Sequence, residues 1–249
     1  MRVVGDCCGC FPTGRPYPGI AHLLRSPLAG VVREIDPSAP WTEQPVAMID
    51  TETTGRLAQH DRIVELAIVV GKAGAVVSRD TWVINPQCAI PAEASAVHGI
   101  YDADVVDKPV FADVAREIVN RFEGAIPAAY NASFDRGFLL AEVKRSLHAV
   151  QGEFPDVPAT RDRVVWIDPL VWARHLYPDE KSRTLSAMAQ LLGVNLSHAH
   201  RATDDAEAAL LVMYELAKDK RVPKSYGDFI QQQVSHARAQ EEARKLWRR

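Results

Sequence analysis

No stretch of this chain stays apolar for the length needed to cross a bilayer. Residues Met1 to Gly14 hold one arginine but no apolar segment of the kind a signal peptide needs. Cysteine is scarce, with four in 249 residues, and Cys7, Cys8 and Cys10 crowd together while Cys88 stands apart. That is not the framework of a disulfide-rich secreted domain, so a reducing cytoplasm is the expected setting. Positive charge is not in excess either: the formal net charge is −3. A protein that coats nucleic acid through a basic surface would carry the opposite sign. The balance disfavours such a module, but not an enzyme whose bound metal ions bring the positive charge to its site. Internal repeats and low-complexity tracts are absent.

What is present is the balance of a globular domain, 47% hydrophobic and 24% charged residues. Residues 1–44 differ from the rest, with six prolines (Pro12, Pro16, Pro18, Pro27, Pro37 and Pro40) and the cysteine cluster. They read as an extension that drapes on the main domain or is partly disordered. Residues 45–220 carry the main domain, and 221–249 a charged C-terminal helix. Strands are expected at Val46–Ile49, at Arg62–Gly71 with its β-branched residues, and at Ala75–Asn85 after a turn at Gly74. Three strands so closely joined predict an antiparallel meander. Helices are expected at Phe111–Phe122, Phe134–Leu147, Leu185–Leu192, Ala206–Ala217 and Tyr226–Arg249, with strands at Ile126–Tyr130 and Val164–Ile167. Strand–helix alternation in the second half implies parallel pairing there. The sum is an α/β fold, a mixed sheet flanked by helices.

Three segments carry candidate chemistry. In Ile49-Asp50-Thr51-Glu52-Thr53-Thr54-Gly55, a strand continued through Glu52 places Asp50 and Glu52 on one side. Two converging carboxylates favour a hard divalent cation, because unpaired they repel. The plainer reading of an isolated D-x-E is a strand that ends in a polar turn. In Tyr130-Asn131-Ala132-Ser133-Phe134-Asp135, Asp135 falls in a first helical turn, where the helix dipole alone favours an acid. In His200-Arg201-Ala202-Thr203-Asp204-Asp205, the spacing places His200 on a loop and Asp205 in the first turn of the next helix, with Thr203 or Asp204 as N-cap. Taken singly, that segment is a capped helix with an incidental histidine.

Together the three segments resemble the DEDD-h branch of the DnaQ-like 3′→5′ exonucleases, which includes the epsilon proofreading subunit of bacterial DNA polymerase III. Asp50 and Glu52 match the first family motif, Asp135 the second within N-x-x-F-D, and His200 with Asp205 the third, H-x-x-x-x-D. The similarity runs from about Val46 to Ala217 and includes Ile90-Pro91 through Val97-His98-Gly99-Ile100. It implies a ribonuclease H-like mixed sheet, an antiparallel meander plus parallel strands. It implies that Asp50, Glu52, Asp135 and Asp205 hold two Mg²⁺ or Mn²⁺ ions and that His200 is the general base. Thr53, His98, Asn131 and Phe134 match positions near the bound nucleotide, with a helix-terminal structural histidine as the plainer reading of His98 and a core side chain as that of Phe134. The substrate implied is the 3′ end of single-stranded nucleic acid, DNA preferred over RNA because D-T-E-T-T-G is closer to the epsilon-like members than to oligoribonucleases. A polymerase or repair complex is the implied partner. The alternatives are a 3′→5′ exoribonuclease and a non-catalytic docking module, the latter disfavoured by the full acidic set.

Other features are assigned less. His198 breaks the family spacing and reads as a surface or supporting residue. Cys7, Cys8 and Cys10 have too few partners for a zinc or iron–sulfur site and read as free thiols. Arg238, Arg244, Lys245, Arg248 and Arg249 form a basic tail that reads as a solvated face balanced by Glu241 and Glu242. Asp61, Glu65, Asp102, Asp104 and Asp204 read as structural or solvent-facing acids.

Overall fold

The computed structural model describes residues 29–147, 154–196 and 200–247. Cys7, Cys8, Cys10, His198, Arg248 and Arg249 lie outside them. Strands β1 (Val46–Thr53), β2 (Ile63–Lys72) and β3 (Ala75–Val83) form the antiparallel meander, and β4 (Ile126–Ala128) adds in parallel to β1, giving the order β3-β2-β1-β4. The hairpin between β2 and β3 turns on Ala73 and Gly74, both at positive φ (53° and 79°). That pair matches the right-handed strand twist.

The sheet is covered on both faces, and strand parity decides which face each residue serves. Val46 and Met48 of β1, with Ala67 and Val69 of β2, join one apolar cluster; Ala47 and Ile49, with Leu66 and Ile68, join the other. The first cluster takes in helix α7 (Ala202–Leu216), whose Leu210 and Tyr214 lie so close to Gly71 that a Cβ there would meet them at 2.6 Å. The second takes in α3 (Phe111–Asn120) through Phe111, Ala115, Ile118 and Val119, and α4 (Ser133–Ser146) through Phe138, Leu139 and Val143. Short helices α1 (Ala92–His98) and α2 (Asp102–Val105) sit over a third, small cluster at Val64, Ile90 and Ile100.

Two expectations change. Val164–Ile167 is not a strand but a single parallel bridge, in which the Ile167 N–H donates to Pro127 O at 2.9 Å and the Ala129 N–H to Ile167 O at 3.1 Å. The chain turns at once into α5 (Pro169–Leu176), capped by Asp168 with proline in its first turn, which ends the pairing. Helix α7 starts at Ala202, not Ala206, and its N-cap is Arg201 rather than Thr203 or Asp204. The cap comes from β2: Glu65, 1% exposed, accepts the Ala202 N–H at 3.1 Å and an Arg201 guanidinium N–H at 2.9 Å. A partner distant in sequence thus replaces the local one.

The C-terminal helix α8 (Tyr226–Trp247) packs Phe229 against Trp41 and Trp172, with ring centroids 4.6 and 4.9 Å apart, and its Tyr226 hydroxyl accepts the Val32 N–H at 3.0 Å. Helix α6 (Leu185–Leu192) is capped by Thr184 and borders the same cluster through Met188 and Ala189. No described helix is long and apolar enough to cross a membrane. Buried Gln233 of α8 accepts the Asp168 N–H (3.0 Å) and the Trp172 indole N–H (3.2 Å) and donates to Trp166 O (2.8 Å). Gln233→Ala strands those groups inside the protein and is expected to lower stability by on the order of 3 kcal/mol, read as a shifted urea midpoint. A change under about 0.5 kcal/mol, the range of ordinary surface substitutions, would show that water replaces the amide freely.

Candidate active site

The parity that builds the core also builds the acidic site. Asp50 and Glu52 continue the Val46–Met48 side of β1 and so face the layer that contains α7, which brings Asp205. Thr51 points to the opposite layer, where its hydroxyl donates to Asp135 Oδ1 of α4 at 2.8 Å. Asp135 is 4% exposed, while Asp50, Glu52 and Asp205 are half-buried. Asp50 and Glu52 lie in the second half of β1, and Asp135 and Asp205 in the first turns of α4 and α7, so three elements supply the four carboxylates.

The electrostatics record the crowding. Burial drives the Asp50 carboxyl well above its ordinary range, and the charges of Asp135, Asp205, Glu52 and Glu65 push the same way. Burial, then the charges of Asp205, Glu65 and Asp135, raises Glu52 to about 7. Asp135 is also raised to about 7, by burial, although the Thr51 hydroxyl and backbone N–H groups favour its charged form. Asp205 is raised by burial and held back by the His200 N–H and ring. Glu65 lies directly across the ladder from Glu52, a like-charge pairing that the Arg201 ion pair at 2.9 Å compensates.

His200 is exposed and adopts φ 69°, with its backbone N–H donating to Asp205 Oδ2 at 3.0 Å. A ring nitrogen of His200 and carboxylate oxygens of Glu52 and Asp205 all lie within 4.8 Å of one another. Glu52, Asp205 and His200 are thus brought together in space, and Asp50 and Asp135 lie near enough for their charges to act within the same acidic group. The remaining matches vary. Thr53 is buried and its hydroxyl donates to Gly55 O at 2.5 Å. A Cβ on Gly55 would collide with the Asp61 carboxylate and push it off the Leu57 N–H. His98 is buried at the end of α1; its Nδ1 accepts the Ile100 N–H at 3.1 Å, and the backbone of Thr53 favours its protonated form. Burial lowers the basicity of that imidazole, and the His200 charge acts in the same direction. Asn131 is exposed at φ 69°, and Phe134 is half-buried against Phe138 with centroids 4.9 Å apart.

Asp168 is the residue that motif reading missed. Its carboxylate accepts the N–H groups of Asn131 (3.0 Å), Ala132 (3.1 Å) and Leu170 (2.9 Å), pinning the turn that leads into α4 and Asp135. The signal was available, because Asp-Pro before an apolar run is an N-cap followed by proline at the first helical position. Of the acids read as structural, Glu65 caps α7, Asp61 accepts the Leu57 N–H (2.7 Å), Asp102 that of Ile90 (2.9 Å) and Asp104 that of Tyr101 (2.8 Å).

A mixed sheet that gathers carboxylates from a central strand and two flanking helices defines the ribonuclease H-like class of nuclease folds, and the comparisons agree. The RNase_T exonuclease family model matches residues 47–213. This chain belongs to that exonuclease family. It is 32% identical over 177 residues to the PolC-type DNA polymerase III of Bacillus subtilis (strain 168), covering 71% of this chain and 12% of that protein. It is 31% identical over 180 residues to the 3′-5′ exonuclease DinG of the same organism, covering 72% of this chain and 18% of that one. The chain thus spans less than a fifth of the length of either curated relative. Exonuclease X, solved with 5′ overhanging duplex DNA, superposes with a TM-score of 0.56 at 26% identity, covering 74% of this chain and 99% of the other. Exonuclease I shares the fold, with a TM-score of 0.62 at 18% identity over 75% of this chain and 43% of the other.

The raised carboxyl values set the sign of a pH effect. Glu52 and Asp135 bind their protons more tightly folded than unfolded, so in metal-free solution stability falls as pH rises from the ordinary carboxyl range through about 7. Glu52→Gln removes one repelling charge and is expected to raise the metal-free melting temperature at pH 8 by a few degrees, with a much smaller gain at pH 5. An equal gain at both pH values would show that charge is not the cause.

Proposed function

We propose that this chain is a metal-dependent 3′→5′ exonuclease that removes nucleoside monophosphates one at a time from the 3′ end of DNA, as in proofreading or repair. The observation that carries the reading is the convergence of Asp50, Glu52, Asp135 and Asp205, all destabilised as anions, beside an exposed histidine. Like charges held this close call for a cation, and a donor set of oxygens suits Mg²⁺ or Mn²⁺ better than a thiolate-seeking metal. Two such ions, when bound, supply the charge that acidifies water and steadies the phosphate oxygens and the leaving 3′ oxygen.

The protein's own groups do the rest. The four carboxylates hold the ions; Thr51 and Asp168 fix where Asp135 sits, the first through its side chain and the second through the preceding turn. His200, exposed on its loop and close to Glu52 and Asp205, takes the proton from the attacking water, a task suited to imidazole near neutral pH. Thr53, His98, Asn131 and Phe134 surround the terminal nucleotide. DNA is the favoured polymer because D-T-E-T-T-G is epsilon-like and because the similar proteins include a DNA polymerase III and a nuclease solved on DNA.

End-labelled single-stranded DNA and RNA, incubated with Mg²⁺, Mn²⁺ or EDTA, test the proposal. A 5′-labelled DNA strand is expected to shorten as a ladder with either metal and not in EDTA, and RNA to be degraded more slowly. Asp50→Ala and His200→Ala are each expected to lower the rate by about 10²-fold or more while the protein stays folded. Wild-type rates in either variant would remove that residue from the mechanism, and failure to cut either polymer would overturn the enzyme reading.

A further inference from the structure

A cleft of about 570 Å³ opens at the turn that precedes α4, lined by Tyr130, Asn131, Arg174, Lys181, Arg183 and Thr184 among others. Tyr130 and Asn131 belong to the Asp168-pinned turn that leads into α4 and Asp135, so the cleft and the site share that turn. Its character is the reverse of the site's: three cationic residues line it, and no carboxylate among the described residues does.

The cations are not equivalent. Arg183 is spent on the scaffold: its guanidinium donates to the carbonyls of Tyr177 (3.1 Å) and Pro178, and its own carbonyl accepts the Tyr130 hydroxyl at 2.6 Å. Those bonds staple the 181–184 loop to the end of β4. Lys181 is exposed on that loop. Arg174 of α5 is half-buried and makes no hydrogen bond or ion pair among the described residues; burial, then the charges of Arg244 and Arg183, work against its own charge. The acid nearest in effect, Asp168, already receives three backbone N–H groups. The favourable charge contacts of Arg174 are the side chains of Asp168 and Tyr130, and its donors stay open to the cleft, where an anion from outside can meet them. That planar set of donors suits phosphate oxygens.

We infer that this cleft binds the phosphodiester backbone of the substrate strand upstream of the scissile bond, with Arg174 and Lys181 as its phosphate contacts. The inference rests on the nuclease reading above and adds a polymer-specific element to it. It accounts for how a chain of net charge −3 holds a polyanion next to an acidic cluster: the cationic surface is local, on the loop and helix that flank Asn131.

The test compares two substrates of the whole 249-residue chain with Mn²⁺: a thymidine decanucleotide and the 4-nitrophenyl ester of thymidine 5′-monophosphate, which has a scissile phosphate but no upstream strand. Arg174→Gln and Lys181→Gln are each expected to raise KM for the decanucleotide about tenfold with kcat little changed. The salt dependence of kcat/KM should weaken by about 0.7 in log–log slope for each contact removed. Hydrolysis of the small ester should stay within twofold. Lys181 is exposed, so its variant carries the test if Arg174→Gln lowers the melting temperature. Unchanged KM and salt slope on the decanucleotide, or equal losses on both substrates, would overturn the inference. If the wild-type protein hydrolyses neither substrate, the nuclease reading falls and the cleft's assignment with it.

Discussion

Repulsion among four carboxylates at the end of one strand is the constraint around which the rest of this structure is arranged. Asp50, Glu52, Asp135 and Asp205 are held where burial and one another's charge disfavour ionisation. No local element would place them so by its own preference; the packing of the sheet and its two helical layers does. Period-two alternation in β1 sends Asp50 and Glu52 toward the α7 layer and Thr51 toward α4, so one strand organises both sides of the site. The fold supplies the stability, and the site spends part of it on a charge arrangement that a divalent ion would relieve.

Around the cluster stands a set of groups that carry no chemistry but decide geometry. Glu65 caps α7 from β2 and thereby sets the start of the helix that presents Asp205. Asp168 fixes the Asn131–Ala132 turn, and Gln233 of the C-terminal helix in turn holds the Asp168 N–H. Val31, Val32, Ile35 and Trp41 are buried in one cluster with Phe229 and Ile230 of that same helix. Residues near both ends of the described chain are thus linked, through a few buried hydrogen bonds and one aromatic cluster, to the turn that carries Asp135.

Much of this was legible in the sequence because it follows short-range rules. The meander, the parallel β4, helix α6 and the start of α4 obey hydrophobic period and turn chemistry, and the motif acids fall where strand alternation and first-turn placement put them. What was illegible depends on partners far along the chain. The α7 boundary moved by four residues because Glu65, separated from Ala202 by 137 positions, supplies its cap. The Val164–Ile167 segment lost its strand because its outer side meets Gly30, whose carbonyl accepts the Val165 N–H at 2.8 Å, and because Pro169 starts a helix immediately after. The cationic cleft was invisible for the same reason: Arg174, Lys181 and Asn131 share no motif and meet only through the stapling of the loop to β4.

The most direct test of the central claim is calorimetric titration of the protein with Mn²⁺ at pH 7 in two buffers of different ionisation enthalpy. With Glu52 and Asp135 raised to about 7, ion binding must displace protons from the cluster. Uptake of two ions per chain with buffer-dependent heat, both weakened in Asp135→Asn, is the predicted result. Absence of binding at millimolar Mn²⁺, or binding that releases no protons and is indifferent to Asp135→Asn, would contradict it.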